Sequence, residues 1–198
     1  MTGRAACVAL LAVLLPTTAR AQAPDAVTVI PAIYSSDTMT RNADLSLAGA
    51  VVATAAVDKA IAAAWSPRPD SAASRTARIA KLLLFDVPVV TFLSGLNHEG
   101  GHIARTRQQA LPYAFDIVGS PWSARPFELV ALDPRIFDDL GSQTGGLEAS
   151  RTLKDRGEAL LWRAGRAAPG LALATVVASL DLPVYAWHTL SDDLFTSR

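Results

Sequence analysis

The sequence predicts a mainly α-helical protein: a helical bundle with two to three apolar helices that are expected to cross a membrane. Hydrophobic residues make up 51% of the chain and charged residues only 18%, whereas ordinary soluble domains carry about 25% charged residues. Three apolar runs are each close to the roughly 20 residues that a membrane-spanning helix needs. They are Leu45–Trp65, Ile79–Leu96 and Gly170–Trp187.

Residues 1–21 have the pattern of a signal peptide. Arg4 supplies a positive charge, Ala5–Leu15 is apolar, and Ala19-Arg20-Ala21 is a small-residue cleavage site. Cleavage after residue 21 removes Cys7, the only cysteine. The mature chain then has no thiolate, so any metal site must use His, Asp or Glu side chains.

The remaining chain divides into two parts. Residues 22–44 are predicted to be an irregular exported segment, and residues 45–198 a helical, metal-binding domain that lies in the membrane. Lys plus Arg equals Asp plus Glu, at 18 each. Because nucleic-acid binding relies on excess positive charge, we expect no nucleic-acid partner.

The first two predicted helices lead to the chemically informative part of the chain. Leu45–Trp65 is rich in alanine, the best helix former, and contains Asp58 and Lys59. A polar connector rich in Pro and Ser, residues 66–78, follows it. Ile79–Leu96 is the second run, and it continues directly into a histidine motif.

The segment from residue 112 to residue 134 is predicted to be rich in loops, because four prolines punctuate it. Within it, Phe127–Leu132 (FELVAL) is predicted to form one extended edge strand. Such an edge could align a peptide by strand addition. Helical character returns at residues 145–167, opened by Gly145-Gly146, and the last apolar run is interrupted by Asp181 and Pro183.

The distribution of positive charge predicts the direction in which the helices cross the membrane. The connector holds Arg68, Arg75 and Arg78 against one acidic residue, as expected for a cytoplasmic loop. The first helix would then run inward and the second outward, which places the histidine motif at the periplasmic side of the inner membrane. The alternative is a soluble, all-helical periplasmic domain, because a central Asp costs about 2.5–3.5 kcal/mol on insertion.

Residues 98–102 read His-Glu-Gly-Gly-His and include two of the three histidines of the chain. On a helix, His98 and His102 share one face a turn apart, so both imidazoles can reach one metal ion. Glu99 lies between them, where it can hold and deprotonate a metal-activated water. Gly100 and Gly101 would let another backbone approach closely, although glycines weaken a helix.

A catalytic zinc usually takes three protein ligands. Glu148, near the start of the third predicted helix, is the first candidate for the missing ligand. His188, at the end of the last apolar run, and Asp155 are the alternatives. Glu148 has another explanation, because a first-turn glutamate is favoured by the helix dipole.

These residues resemble the zincin metallopeptidases, and more narrowly the gluzincin group, in which HExxH on one helix is completed by a Glu on a later helix. The position of the motif after an apolar helix is similar to that of membrane-bound members. The resemblance implies a Zn²⁺ ion held by His98, His102 and Glu148, with Glu99 as general base and a peptide or protein as substrate. The chain departs from the pattern at Thr152, where the group has an Asp four residues after its Glu.

Two other classes remain open. In a non-enzymatic membrane scaffold or accessory protein, the motif would be fortuitous, and Asp58, Lys59, Asp86 and Asp181 would form interhelical pairs or a polar relay. In a di-iron carboxylate oxidase, Glu99-x-x-His102 would be one of two ExxH motifs. Glu148 is followed three residues later by Arg151, so a second such motif does not begin there.

Overall fold

A computed structural model of the chain describes residues 39–65, 68, 71–123, 127–131, 135, 140–165 and 168–196. Four helices account for most of these residues. Helix α2 is continuous for 37 residues and contains a π-helical turn at Leu82–Asp86 between its α-helical parts, Ala72–Lys81 and Val87–Gln108. The helices are α1 (Met39–Ala64), α2 (Ala72–Gln108), α3 (Leu140–Ala164) and α4 (Pro169–Thr196), with β1 (Tyr113–Ile117) and β2 (Phe127–Ala131) between α2 and α3.

The predicted fold class, a mainly helical bundle, is confirmed. Three helices are long and apolar enough to cross a membrane, and they correspond to the three apolar runs of the sequence: Met39–Ala64, Ala72–Gln108 and Pro169–Trp187. Helix α3 is the most polar of the four long helices. The three apolar helices are compatible with membrane association.

The core of the bundle is built largely from small side chains contributed by all four helices. Small residues allow helix backbones to approach closely, which is how helices associate when the surroundings are as apolar as the side chains. A Cβ added to Gly170, at the start of α4, would lie 2.5 Å from the carbonyl oxygen of Ala50 in α1. The buried apolar cluster comprises Ala43, Leu47, Ala50, Val90, Leu153, Leu171, Ala174 and Ala178.

Helices α2 and α3 cross with their backbones in contact at Gly101 and Gly145. A Cβ on Gly101 would lie 2.6 Å from the carbonyl carbon of Gly145 and 2.7 Å from Cβ of Ala149. The close backbone approach expected from the glycines of the motif is therefore confirmed at Gly101. The helix passes through both motif glycines without a break.

Charged side chains inside the apolar runs pair both between α1 and α2 and within α2. Nζ of Lys81 lies 3.0 Å from Asp58 of α1 and 2.8 Å from Asp86, at the end of the π-helical turn. In the same turn, Nε1 of Trp122 donates to the carbonyl oxygen of Leu84 at 2.8 Å. A π-helical turn disturbs the regular ladder of helix hydrogen bonds, and these two interactions stabilise it here.

Several predicted boundaries need correction. Helix α1 begins at Met39, so the last six residues of the segment 22–44 are helical rather than irregular. Asn42 and Ala43 are fully buried there, which shows that packing extends the helix beyond the apolar run. Residues 1–38, including the predicted signal peptide, lie outside the described residues. The connector is shorter than the predicted residues 66–78, because the next helix already begins at Ala72. Ser71 caps this helix: its Oγ accepts a hydrogen bond from the backbone N–H of Ser74 at 3.1 Å.

Helix α4 is longer than its apolar run. It continues through Pro183 and ends at Thr196, so Asp181 and Pro183, which interrupt the apolar run in the sequence, do not interrupt the helix. A proline removes one helical hydrogen bond, and here the helix continues in spite of that loss.

The strand predicted at Phe127–Leu132 is confirmed for Phe127–Ala131, whereas its antiparallel partner β1 was predicted to be loop. The register runs from Tyr113 opposite Ala131 to Ile117 opposite Phe127. The ring of Phe127 packs on Phe92 of α2, with a centroid separation of 4.8 Å. The hairpin is thereby held against the helix that carries the histidine motif.

Candidate metal site

His98 and His102 lie on one face of α2, and their ring nitrogens converge. The two Nε2 atoms are 3.1 Å apart. Two nitrogens bound to one tetrahedral zinc at 2.0–2.1 Å would be separated by about 3.3 Å. The separation is that of a direct hydrogen bond between the two rings and is also close to the spacing of two ligands on one metal ion, and the i, i+4 geometry predicted from the sequence is present.

Asp181 of α4 is hydrogen-bonded to the other ring nitrogen of His98, Nδ1. Nδ1 of His98 lies 2.7 Å from Oδ2 of Asp181 and 3.4 Å from Oγ of Ser150 in α3. When Nδ1 donates its proton to the carboxylate, Nε2 of His98 becomes an acceptor; it lies within hydrogen-bond distance of Nε2 of His102 here, and the same lone pair would bind a metal. This carboxylate–histidine arrangement is the usual outer support of a metal-binding histidine.

Neither Asp181 nor Ser150 was predicted as a site residue. The contacts of His98 join residues 83 and 52 positions apart in the sequence. The one available signal was the presence of a carboxylate, Asp181, inside an apolar run, because charged residues in such runs are often functional.

Gly146 of α3 lies directly against the two histidines. A Cβ on Gly146 would fall onto Nε2 of His98, 2.5 Å from Nε2 of His102. Any larger residue would collide with both nitrogens, so the glycine allows the α3 backbone to pack directly against the two rings. The sequence suggested that Gly145-Gly146 opens a helix, but α3 begins at Leu140. The role of these glycines is close approach rather than a helix start.

Glu99 is half-buried beside the two histidines. It makes no hydrogen bond or ion pair with the part of the chain that the structure describes. Its carboxylate is therefore not engaged by the described part of the chain; its role as a general base stays a prediction.

Glu148 is brought to α2 but is paired there with an arginine. Its Oε2 accepts from Nε of Arg105 at 2.8 Å and from Nη2 of the same guanidinium. Asp155 contacts Lys154 and Arg151 at the surface, and His188 lies in α4 with its side chain outside the described part. Across the described ranges, no group of three His, Cys, Asp or Glu side chains is arranged to hold a metal ion.

Two ring nitrogens, Nε2 of His98 and Nε2 of His102, nevertheless match two of the four ligand positions of a zinc ion. Two imidazole nitrogens at ligand spacing, one of them supported by a carboxylate, are typical of zinc sites. The third ligand predicted from the sequence, Glu148, is close enough to α2 to bind Arg105, one turn beyond His102. Its Oε1 makes no hydrogen bond within the described part of the chain.

A cleft of about 240 Å³ opens beside His98, between α2 and α4. Most of its lining side chains are small, and several carry hydroxyl groups. They are Thr91, Ser94, Gly95, His98, Ser150, Val177, Ala178 and Asp181. The carboxylate–histidine pair is thus in contact with a space that a ligand can enter.

Comparison of the chain with protein-family models, with characterised proteins and with solved structures finds no match. The functional inference therefore rests on the site itself.

Proposed function

We propose that the chain is a zinc-dependent hydrolase that cleaves peptide bonds, held in the inner membrane with its site facing the periplasm. The observation that carries the proposal is the convergence of the Nε2 atoms of His98 and His102 at 3.1 Å, with Glu99 between them in the motif. Hydrogen bonding of His98 to Asp181 supports it.

In this proposal His98 and His102 hold the metal, and Glu148 is the third ligand. When bound, zinc acts as a Lewis acid that polarises a carbonyl group and makes water a better nucleophile at neutral pH. Asp181 keeps the Nδ1 proton of His98 in place, so that the Nε2 lone pair points away from the carboxylate.

Glu99 moves the proton. It takes a proton from the attacking water as the new carbon–oxygen bond forms, and it delivers that proton to the amine nitrogen as the carbon–nitrogen bond breaks. The products are a carboxylic acid and an amine, so atoms and charges balance with water as the only co-reactant. Glu99 suits this role because no described side chain binds its carboxylate.

Membrane placement is supported by the three apolar helices and by the paired charges within them. Asp58 and Asp86 both contact Lys81, which lowers the cost of charged groups in an apolar environment. The arginines of the connector favour a cytoplasmic position for that loop, and the opposite end of α2, which carries the motif, then faces the periplasm.

The first test is metal content and activity of the full chain purified in detergent. We expect about one zinc per chain, loss of zinc in His98→Ala, and retention of zinc with loss of activity in Glu99→Gln. A wild-type chain that takes up no zinc after reconstitution would instead favour the scaffold alternative. A fully active Glu99→Gln variant would remove the general base from the proposal.

A second test addresses the third ligand. Glu148→Gln should weaken zinc binding at least tenfold, by analogy with the loss of a supporting group in metal sites. Glu158→Gln is the matched control, because Glu158 lies on the same helix and its carboxylate contacts Lys154 at 3.0 Å. If both variants keep wild-type zinc affinity, Glu148 is not a ligand and His188→Ala becomes the next variant to measure.

A further inference from the structure

One side of α1 is exposed along most of the helix, and we call it the outer face of α1. Its positions alternate between spacings of three and four residues, which is also the spacing of the contact positions between two helices of a coiled coil. Between residues 45 and 62 the face is about 26 Å long, close to the thickness of the hydrocarbon core of a membrane. Its six exposed positions are Leu45, Ala48, Val52, Ala55, Lys59 and Ala62.

The side chains of the outer face are mostly small. Three of the six are alanines, each seven residues from the next. Small side chains let two membrane helices approach closely enough for van der Waals packing. The exposed side chains of α2 are larger, as at Ile79, Leu83 and Leu84. The outer face of α1 is therefore better suited than the exposed part of α2 to pack against another helix.

Lys59 places an uncompensated charge on the outer face. Its side chain is exposed, and it makes no ion pair within the part of the chain that the structure describes. Asp58 of the same helix does not face it, because adjacent residues of a helix point in different directions. Charges inside membrane helices usually have a partner, so the outer face favours an occupant that brings a carboxylate.

A second copy of the chain supplies a carboxylate at the required level. Two copies in one membrane have the same orientation, so their α1 helices are parallel. In a parallel pair, a contact side chain inserts between four residues of the facing helix, and for Lys59 one of these is Asp58 of the second copy. Asp58 has room for this contact, because its side chain is 54% exposed while it binds Lys81 at 3.0 Å.

We infer that the outer face of α1 is the interface of a parallel homodimer, in which Lys59 of each copy pairs with Asp58 of the other. The contact is the same patch on both copies, so the twofold axis produces two equivalent ion pairs. The inference goes beyond the proposed hydrolase: it uses the membrane placement but no part of the candidate metal site.

The first experiment tests the contact by disulfide formation in lipid vesicles that contain only the purified chain. With Cys7→Ser the chain has no other cysteine, so each variant carries one thiol. On oxidation, Ala55→Cys should form a covalent dimer, because equivalent contact positions lie near the Cα–Cα separation of about 4.4–6.8 Å that a disulfide needs. Leu83→Cys, 60% exposed on α2, is the control and should form almost none. No dimer with Ala55→Cys, or equal amounts with both variants, would overturn the inference.

The second experiment tests the ion pairs. Lys59→Asp brings carboxylates together at both contacts, and since like charges across an interface repel, the dimer Kd should rise at least about tenfold. Lys59→Arg keeps the charge and should keep the wild-type Kd. Association is followed by energy transfer between labelled copies as the chain is diluted with lipid, and circular dichroism checks that both variants keep their helical content. Equal Kd values for the two variants would show that the pairs with Asp58 do not form.

Other occupants of the outer face give different results. A chain that is monomeric in the vesicles but forms a disulfide with another protein in native membranes has a different partner, and one that forms none in either is covered by lipid. Both results overturn the homodimer. Neither bears on the proposed hydrolase, because zinc content and peptide cleavage are measured separately.

Discussion

Replacing Gly101 by alanine tests the helix crossing on which the site depends. The added Cβ would meet the Gly145 carbonyl group, 2.6 Å from its carbon, and Cβ of Ala149 at 2.7 Å. Both neighbours belong to the α3 backbone or are attached directly to it, so no flexible side chain can move aside. The two helices must separate at this point.

The size of the effect follows from two opposing contributions. Alanine is favoured over glycine in a helix interior by about 0.8–1.0 kcal/mol. Overpacking a close contact costs about 1–3 kcal/mol, and the rigid neighbours of Gly101 place this variant at the upper end. We therefore expect Gly101→Ala to lower the free energy of unfolding by about 2 kcal/mol. Separation of the helices also moves Glu148, the proposed third ligand, away from His98 and His102, so zinc binding should weaken.

Gly49→Ala is the matched control. Gly49 is also within a long helix, but its added Cβ would meet Cδ1 of Leu93 at 3.3 Å, the far end of a flexible side chain. This variant should be as stable as the wild type or more stable by up to about 1 kcal/mol. Unfolding is followed by circular dichroism in mixed micelles with increasing sodium dodecyl sulfate. If Gly101→Ala unfolds at the same detergent fraction as Gly49→Ala, the backbone contact between α2 and α3 does not exist as described.

Three further variants probe the charges of the bundle. Asp181→Asn should lower zinc affinity about 10–100-fold by loosening His98, with unchanged helical content; a wild-type affinity in zinc titration would contradict the role of Asp181. Lys81→Met leaves the buried Asp86 carboxylate without its partner and should destabilise the chain by about 3–5 kcal/mol, measured in the same unfolding assay. Arg156→Ala removes an exposed ion pair with α1 and should change stability by no more than about 1 kcal/mol, so a larger effect would mean that this pair is more buried than described.

Much of the fold could be predicted because its signals are local. Each apolar run is long enough to form a helix on its own pattern, and the three runs became α1, α2 and α4. The start of α1 at Met39 could not be predicted in this way. Asn42 is fully buried although it is polar, and only the other helices make that burial possible. Strand β1 was missed for a similar reason, because its pairing with β2 stabilises it.

The candidate site also has a part that local sequence spacing predicts and a part that only the packing of the helices brings together. The spacing of His98 and His102 predicts one helix face, and that geometry depends on nothing outside α2. Asp181 and Ser150 reach His98 only through the packing of α3 and α4, so no local pattern identifies them. The pairing of Glu148 with Arg105 has a local cause that the sequence offered: a guanidinium one turn beyond the motif attracts any carboxylate that α3 brings close.

The glycines of the motif join the fold to the site. Taken alone, two glycines inside a helix cost about 2 kcal/mol relative to alanine, which counts against a helix at residues 98–102. Packing offsets this cost, because the lack of a Cβ at Gly101 lets the α3 backbone contact α2 directly. Gly101 lies between His98 and His102, so the crossing that packs Gly101 on Gly145 also sets Gly146 against both Nε2 atoms. One backbone contact therefore fixes the packing of α3 and its close approach to the Nε2 atoms of His98 and His102. It follows that substitutions at this crossing should change stability and zinc affinity together, whereas Asp181→Asn should change zinc affinity alone.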